Sequence, residues 1–169
     1  MNSPERGRGR LGVGALAAGL VLALGAASAC SAGGAKDRTR RQSDIYVAVL
    51  RAVLPPVSVQ GVRPVVFVSP LDDGKPFSLE VQAGVIAKLS KQAQVKFVDE
   101  QIQAVDAHTS GAPVLDNAVL FSLGAVPSSG EVVELRGEQY RTAADRTPLR
   151  FVVRATSEGW LAQLAAATP

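Results

Sequence analysis

The 169-residue chain has one cysteine, one histidine, one methionine and one tryptophan, and its aromatic content is 5%. A single thiol, Cys30, excludes a disulfide within the chain, so the folded part must hold by packing. His108 stands alone. The Asp106-x-His108 pair supplies two ligands where a zinc site needs three or four, and Asp72-Asp73 lacks the alternating oxygen-ligand loop of a calcium site. No metal and no cofactor is therefore expected. Scarce aromatics leave little for a sugar-stacking platform. The adjacent carboxylates Asp72-Asp73 and Asp99-Glu100 read as a turn and a helix start, not as the spaced pair of a glycosidase. The nucleophile elbow G-x-S-x-G, the phosphate loop and a G-x-G-x-x-G following a strand are all missing.

A net charge of +3 suggests nucleic acid until the charges are located. Arg6, Arg8 and Arg10 against Glu5 give the first ten residues +2, and Lys36, Arg38, Arg40 and Arg41 against Asp37 give residues 31–42 +3. Residues 43–169 carry eleven Lys and Arg against thirteen Asp and Glu, so that stretch is slightly acidic. No basic helix or basic-aromatic surface stands out there, and no nucleic-acid partner is expected.

What the chain does have is an uncharged run from Leu11 to Cys30, LGVGALAAGLVLALGAASAC, behind the basic start. A basic head, an apolar middle and a small-residue exit form the plan of an export signal. The exit, Ala27-Ser28-Ala29-Cys30, resembles the lipobox of bacterial lipoprotein precursors cut by the type II signal peptidase, with Ala27 standing where leucine is usual. That resemblance covers the first thirty residues. It implies cleavage between Ala29 and Cys30, a diacylglyceryl thioether on Cys30, and attachment to the outer face of the cell membrane, where two or three acyl chains hold stably. Cleavage near Ala29 without lipid, or retention of the leader as a span of about 20 residues, are the alternatives.

Three segments are expected: a signal peptide over 1–29, a lipid anchor and flexible basic tether over 30–42, and one domain over 43–169. The basic tether reads as a solvated spacer or as a strip drawn to anionic headgroups.

Within the domain, Ser43 is expected to cap a helix with Ile45, Val49 and Val53 inward, stopped by Pro55-Pro56. Pro64–Val68 reads as a buried strand, with a turn around Asp73-Gly74 after it. Ser78 caps a second helix reaching Lys91, with Leu79, Ala83, Ile86 and Leu89 as its inward stripe. Gly84 in its middle costs about 1 kcal/mol against alanine, which a close contact with a strand or the first helix would explain. Val95–Asp99 is a further strand, parallel to the first through the intervening helix. Asp99 is expected to cap a short helical turn, with Ile102 and Val105 inward.

From Ala118 the period becomes two, giving four strands around turns at Pro127–Gly130, Thr142–Pro148 and Ser157–Gly159, with Trp160 as a core anchor. Arg150, Arg154 and Arg136, interleaved with Glu134 and Glu138, read as cross-strand ion pairs on a wet face or as a surface for an acidic partner. The fold expected is α+β: two main helices packed on a mostly antiparallel sheet, with a C-terminal four-stranded meander. Leu123-Gly124, Ser128–Gly130 and Gly159-Trp160 give this order a resemblance to a layout of small exported proteins of high-GC Gram-positive bacteria, which implies a class and no activity.

The functional expectation is a non-catalytic accessory or binding module at the cell envelope, held to the membrane by lipid, with an envelope protein or wall polymer as partner. A small envelope hydrolase and a small-molecule or signal-binding lipoprotein are the alternatives.

Overall fold

The computed structural model describes residues 19–54, 61–71 and 75–165, with side chains from residue 34 onward. It divides into two units, Met1–Asp37 and Arg38–Pro169. The first contributes the start of helix α1 (Gly19–Val53). The second holds the rest of α1, helix α2 (Leu79–Leu89) and strands β1 (Val65–Pro70), β2 (Gln94–Phe97), β3 (Val119–Leu123), β4 (Val132–Thr142), β5 (Asp145–Thr156) and β6 (Gly159–Leu164). Among the described residues no helix is long and apolar enough to cross a membrane. The turn at Asp73-Gly74 and the stop at Pro55-Pro56 lie outside the described residues.

The six strands form one sheet in the order β2-β1-β3-β4-β5-β6. β1 is parallel to both β2 and β3, whereas β3, β4, β5 and β6 pair antiparallel in succession. The expected α+β class, the parallel strand–helix–strand unit and the C-terminal meander are all present. Both helices cover one face. Ile45, Val49 and Leu50 of α1 and Val81, Val85 and Leu89 of α2 pack with Val66, Val68, Phe121, Leu135, Phe151 and Val153 of the sheet. Each fully buried side chain of this size contributes roughly 1.5–3 kcal/mol. On the other face a smaller core of Phe67, Ala104, Val114, Leu120 and Tyr140 is covered by the 3-10 turn Gln101–Ala104 and the loop after it. The outer face of β4, β5 and β6 is open.

Local expectations shift at five places. Ser43 does not start α1: it is buried inside the helix, and its hydroxyl donates to the Thr39 carbonyl one turn back. The described stretch from Gly34 to Gln42, expected as a flexible spacer, is helical, and Arg41 within it packs on the meander. α2 ends at Leu89, short of Lys91, and buries Val81, Val85 and Leu89, while Leu79 is 77% exposed and Ala83 and Ile86 face solvent. Two apolar stripes compete on this helix, and the close approach of Gly84 to α1 selects one. Glu100, not Asp99, caps the 3-10 turn, leaving Ile102 57% exposed and Ala104 inside. Finally, the β4–β5 turn is at Ala143-Ala144, and Pro148 lies within β5. β6 pairs with β5 from Phe151 onward, so Pro148 occupies a stretch with one neighbour, where its missing N–H breaks no ladder.

Gly137 is buried in β4 opposite Leu149. A Cβ there would lie 3.1 Å from the Ser122 carbonyl and 3.2 Å from the Leu123 side chain, which explains a glycine in the middle of a central strand.

Candidate functional site

Parallel sheets place ligands beyond the carboxyl ends of their strands, where the strand order reverses. Here that point lies between β1 and β3, the chain having gone from β1 outward to β2 and back across to β3. Two hollows open at this end, one on each side of the sheet.

The hollow on the helix side has a volume of about 290 Å³. Tyr46, Phe77, Leu71, Leu123 and Val126 form its apolar wall, with Gln42 and Lys75 as polar members. Its shape is fixed by two devices. The Tyr46 hydroxyl donates to the Gly124 carbonyl at 3.0 Å, pinning α1 to the segment after β3. Phe77 stands edge-on to Tyr46 at 5.1 Å and to Phe97 at 5.2 Å. Burial pushes the Tyr46 phenol up to about 12, against the opposing effect of a hydrogen bond from the Val126 backbone, so the hydroxyl remains a donor. At its mouth, Ser78 caps α2 by accepting from the Val81 N–H at 3.3 Å.

The groove on the other side has a volume of about 460 Å³ and a polar lining that includes Asp99, Glu100, Ser122, Glu138 and Arg146. Ser122 on its floor shares a 2.9 Å hydrogen bond with Ser69 of the adjacent strand; both side chains are buried. Arg146 pairs with Glu138 at 3.8 Å and lies over the Tyr140 ring at 4.9 Å. Asp99 and Glu100, read from sequence as a helix start, precede the 3-10 turn Gln101–Ala104, with Glu100 at its cap. Their backbone N–H groups both donate to Oε1 of Gln103.

The other sequence candidates fall as follows. Cys30 and Ala29 lie within the span of α1, and their side chains lie outside the described residues, as do Asp72 and Asp73. Asp106 and His108 belong to an exposed turn. The Asp106 carboxylate accepts from the His108 N–H at 3.1 Å and the Thr109 hydroxyl at 2.6 Å, and these bonds, that from Thr109 foremost, hold it below the usual carboxylate range. Among the described residues no three His, Cys, Asp or Glu side chains gather as a metal site. On the arginine face Glu134 and Glu138 flank Arg136 along β4, whereas directly across the strands Arg136 lies opposite Arg150, Arg154 opposite Val132, and Glu134 opposite Val152.

Sequence reasoning missed Arg41. Assigned to the tether, it donates instead to the carbonyls of Pro127 at 2.5 Å and Gly130 at 2.8 Å and stacks 5.0 Å above Trp160. Tyr46 and Phe77 were not legible as the walls of a hollow, because their partners lie after β3 and in β2.

No family model, no curated protein and no solved structure matches this chain.

Proposed function

We propose that the chain is an extracytoplasmic binding module of the cell envelope, made with a leader over 1–29 and retained at the membrane by lipid on Cys30. It acts there without catalysing a reaction. The address rests on the basic head, the uncharged run and Ala27-Ser28-Ala29-Cys30. The binding role rests on one observation, the preformed hollow walled by Tyr46 and Phe77 at the carboxyl ends of β1 and β3. Its size falls near the lower bound of ligand pockets, about 300 Å³, and its lining is the apolar kind with few polar groups that such pockets use. This favours a small, largely apolar ligand within the broader accessory role.

Two measurements test the two halves. The intact mass of protein extracted from membranes should correspond to residues 30–169 plus a diacylglyceryl group, and Cys30→Ala should abolish both cleavage and adduct. A mass without acyl adduct would remove the anchor. For the hollow, p-cresol titrated into the protein should shift the NMR signals of Tyr46, Phe77 and Val126, and Val126→Trp should abolish the shifts. Shifts spread evenly over the surface would remove the binding site.

A further inference from the structure

The polar groove on the face away from the helices holds more hydrogen-bonding capacity than the protein uses. Ser69, Ser122 and Glu138 stand in one row across β1, β3 and β4. Two serine hydroxyls carry two protons, and the 2.9 Å bond between them uses one. Ser69 is 1% exposed, whereas Ser122 lines the groove, so Ser69 donates and the Ser122 proton is left to the groove. Among the described residues no acceptor meets it. Glu138 lies in register with Ser122, yet its one polar side-chain contact among the described residues is Arg146 at 3.8 Å, beyond hydrogen-bond distance. A carboxylate on a side chain only 27% exposed is thereby short of donors, and the arginine beside it is short of acceptors.

The opposite bank is acidic. The backbone N–H of Asp99 is held by Gln103, while its carboxylate has no polar partner among the described residues; Glu100 beside it serves as the cap of the 3-10 turn. β1 and β3 separate β2, which Asp99 follows, from β4, which carries Glu138, so the two banks stand about 14 Å apart at the backbone. A metal ion needs its ligands gathered around it, and no such group forms among the described residues. An organic molecule laid across the groove reaches both banks. To satisfy the row it must accept from Ser122 and Arg146 and donate to Glu138, which hydroxyls do and an ammonium alone does not. It is also cationic, because Asp99, Glu100 and Glu138 outnumber Arg146 along the lining. We infer that the groove binds a small polyhydroxylated amine, an amino sugar in chemical class, with its hydroxyls on Ser122, Glu138 and Arg146 and its ammonium on Asp99. The volume of about 460 Å³ lies within the roughly 300–1,000 Å³ of small-molecule sites. No aromatic ring is among the lining residues to stack on a sugar face, so hydrogen bonds and charge carry the binding and the affinity is modest. The inference depends on neither the hollow nor the anchor.

Three probes separate the two kinds of contact: glucosamine carries hydroxyls and an ammonium, glucose only the hydroxyls, and cyclohexylamine only the ammonium. Each is titrated into the intact protein and followed by amide NMR. Glucosamine should shift the signals of Ser122, Glu138 and Ile102 and leave that of Tyr46 in place. It should bind about threefold or more tighter than either of the other two, the margin an exposed charge contact supplies. Asp99→Asn, at an exposed position that the fold does not need, should bring glucosamine down to the level of glucose. Glu138→Ala should weaken both sugars and leave cyclohexylamine unchanged, in a variant whose amide spectrum away from the groove matches the parent. High salt should shrink the advantage of glucosamine over glucose. Cyclohexylamine binding as tightly as glucosamine would reduce the groove to a patch of negative charge and overturn the hydroxyl contacts. Glucose binding as tightly as glucosamine would overturn the ammonium site on Asp99. Calcium shifting the same signals at lower concentration than glucosamine would make the groove a metal site, and no shift at Ser122 or Glu138 with any probe would end the inference.

Discussion

A Cβ placed on Gly84 would lie 2.7 Å from Oγ of Ser43 and 3.0 Å from its Cβ. The two helices meet at this point, and the hydroxyl also reaches toward the Val81 carbonyl at 3.4 Å. Alanine is the better helix former by about 1 kcal/mol. Gly84→Ala should nevertheless destabilise the domain by about 1–3 kcal/mol, because the added methyl overpacks a helix contact. Ser43→Ala in the same chain should recover part of the loss, since the 2.7 Å clash goes and the 3.0 Å one stays. Urea denaturation of the two single variants and the double one checks this. A stabilised Gly84→Ala would mean the helices separate freely.

Ser69 and Ser122 share one buried hydrogen bond at the ends of β1 and β3, with 1% and 6% of their surface exposed. Removing one hydroxyl strands the other. Ser122→Ala should cost about 1–3 kcal/mol, while Ser69→Ala/Ser122→Ala should cost less than the sum of the two single changes. The coupling from a double-mutant cycle is the measurement, and strict additivity would show that the pair does not act as a unit.

Tyr46 links stability to alkaline pH. Its folded value, about 12, lies above the ordinary value of 10.0, so the folded state holds the phenolic proton more tightly than the unfolded chain. The stabilisation is complete below pH 10 and is lost as pH rises from 10 toward 12. At about 1.4 kcal/mol per pH unit, the loss approaches roughly 3 kcal/mol. Tyr46→Phe should be less stable than the parent at pH 7, with the Gly124 carbonyl left short of a donor, and should lack this alkaline slope. Equal slopes in parent and variant between pH 9 and 11.5 would contradict the burial of the phenol.

Arg41 tests where the packed domain begins. If it belonged to a solvated tether, Arg41→Lys would be silent. Because its guanidinium bridges two carbonyls and stacks on Trp160, lysine cannot replace it. We expect Arg41→Lys and Arg41→Ala both to cost about 1–2 kcal/mol, in keeping with hydrogen bonds to a charged group, and to shift Trp160 emission. Unchanged emission in both variants would place Arg41 in solvent.

The strands were legible because alternation and turn residues mark them locally. Val119–Leu123 and Gly159–Leu164 need no distant information to be read. α2 shows the limit of that reading. Leu79, Ala83, Ile86 and Val81, Val85 are two apolar stripes sharing Leu89, and only the meeting of Gly84 with Ser43 decides between them. α1 was cut short for the opposite reason. Arg38, Arg40 and Arg41 look like solvent residues, and the partners that hold Arg41 lie 86 and 89 positions later. The hollow was illegible as such: Tyr46, Phe77 and Val126 come from three segments joined only by the topology.

The grip of Arg41 on Gly130 and Trp160 joins one segment of the chain to segments synthesised about a hundred residues later. Loop closure over such separations is slow, and the strands of the meander, whose partners are neighbours, have no comparable wait. The first helix therefore emerges with six consecutive core side chains, Ile45 to Leu50, and nothing yet to lay them against. Until the β5–β6 hairpin arrives they are a sticky surface, and a chaperone is the natural shelter for them.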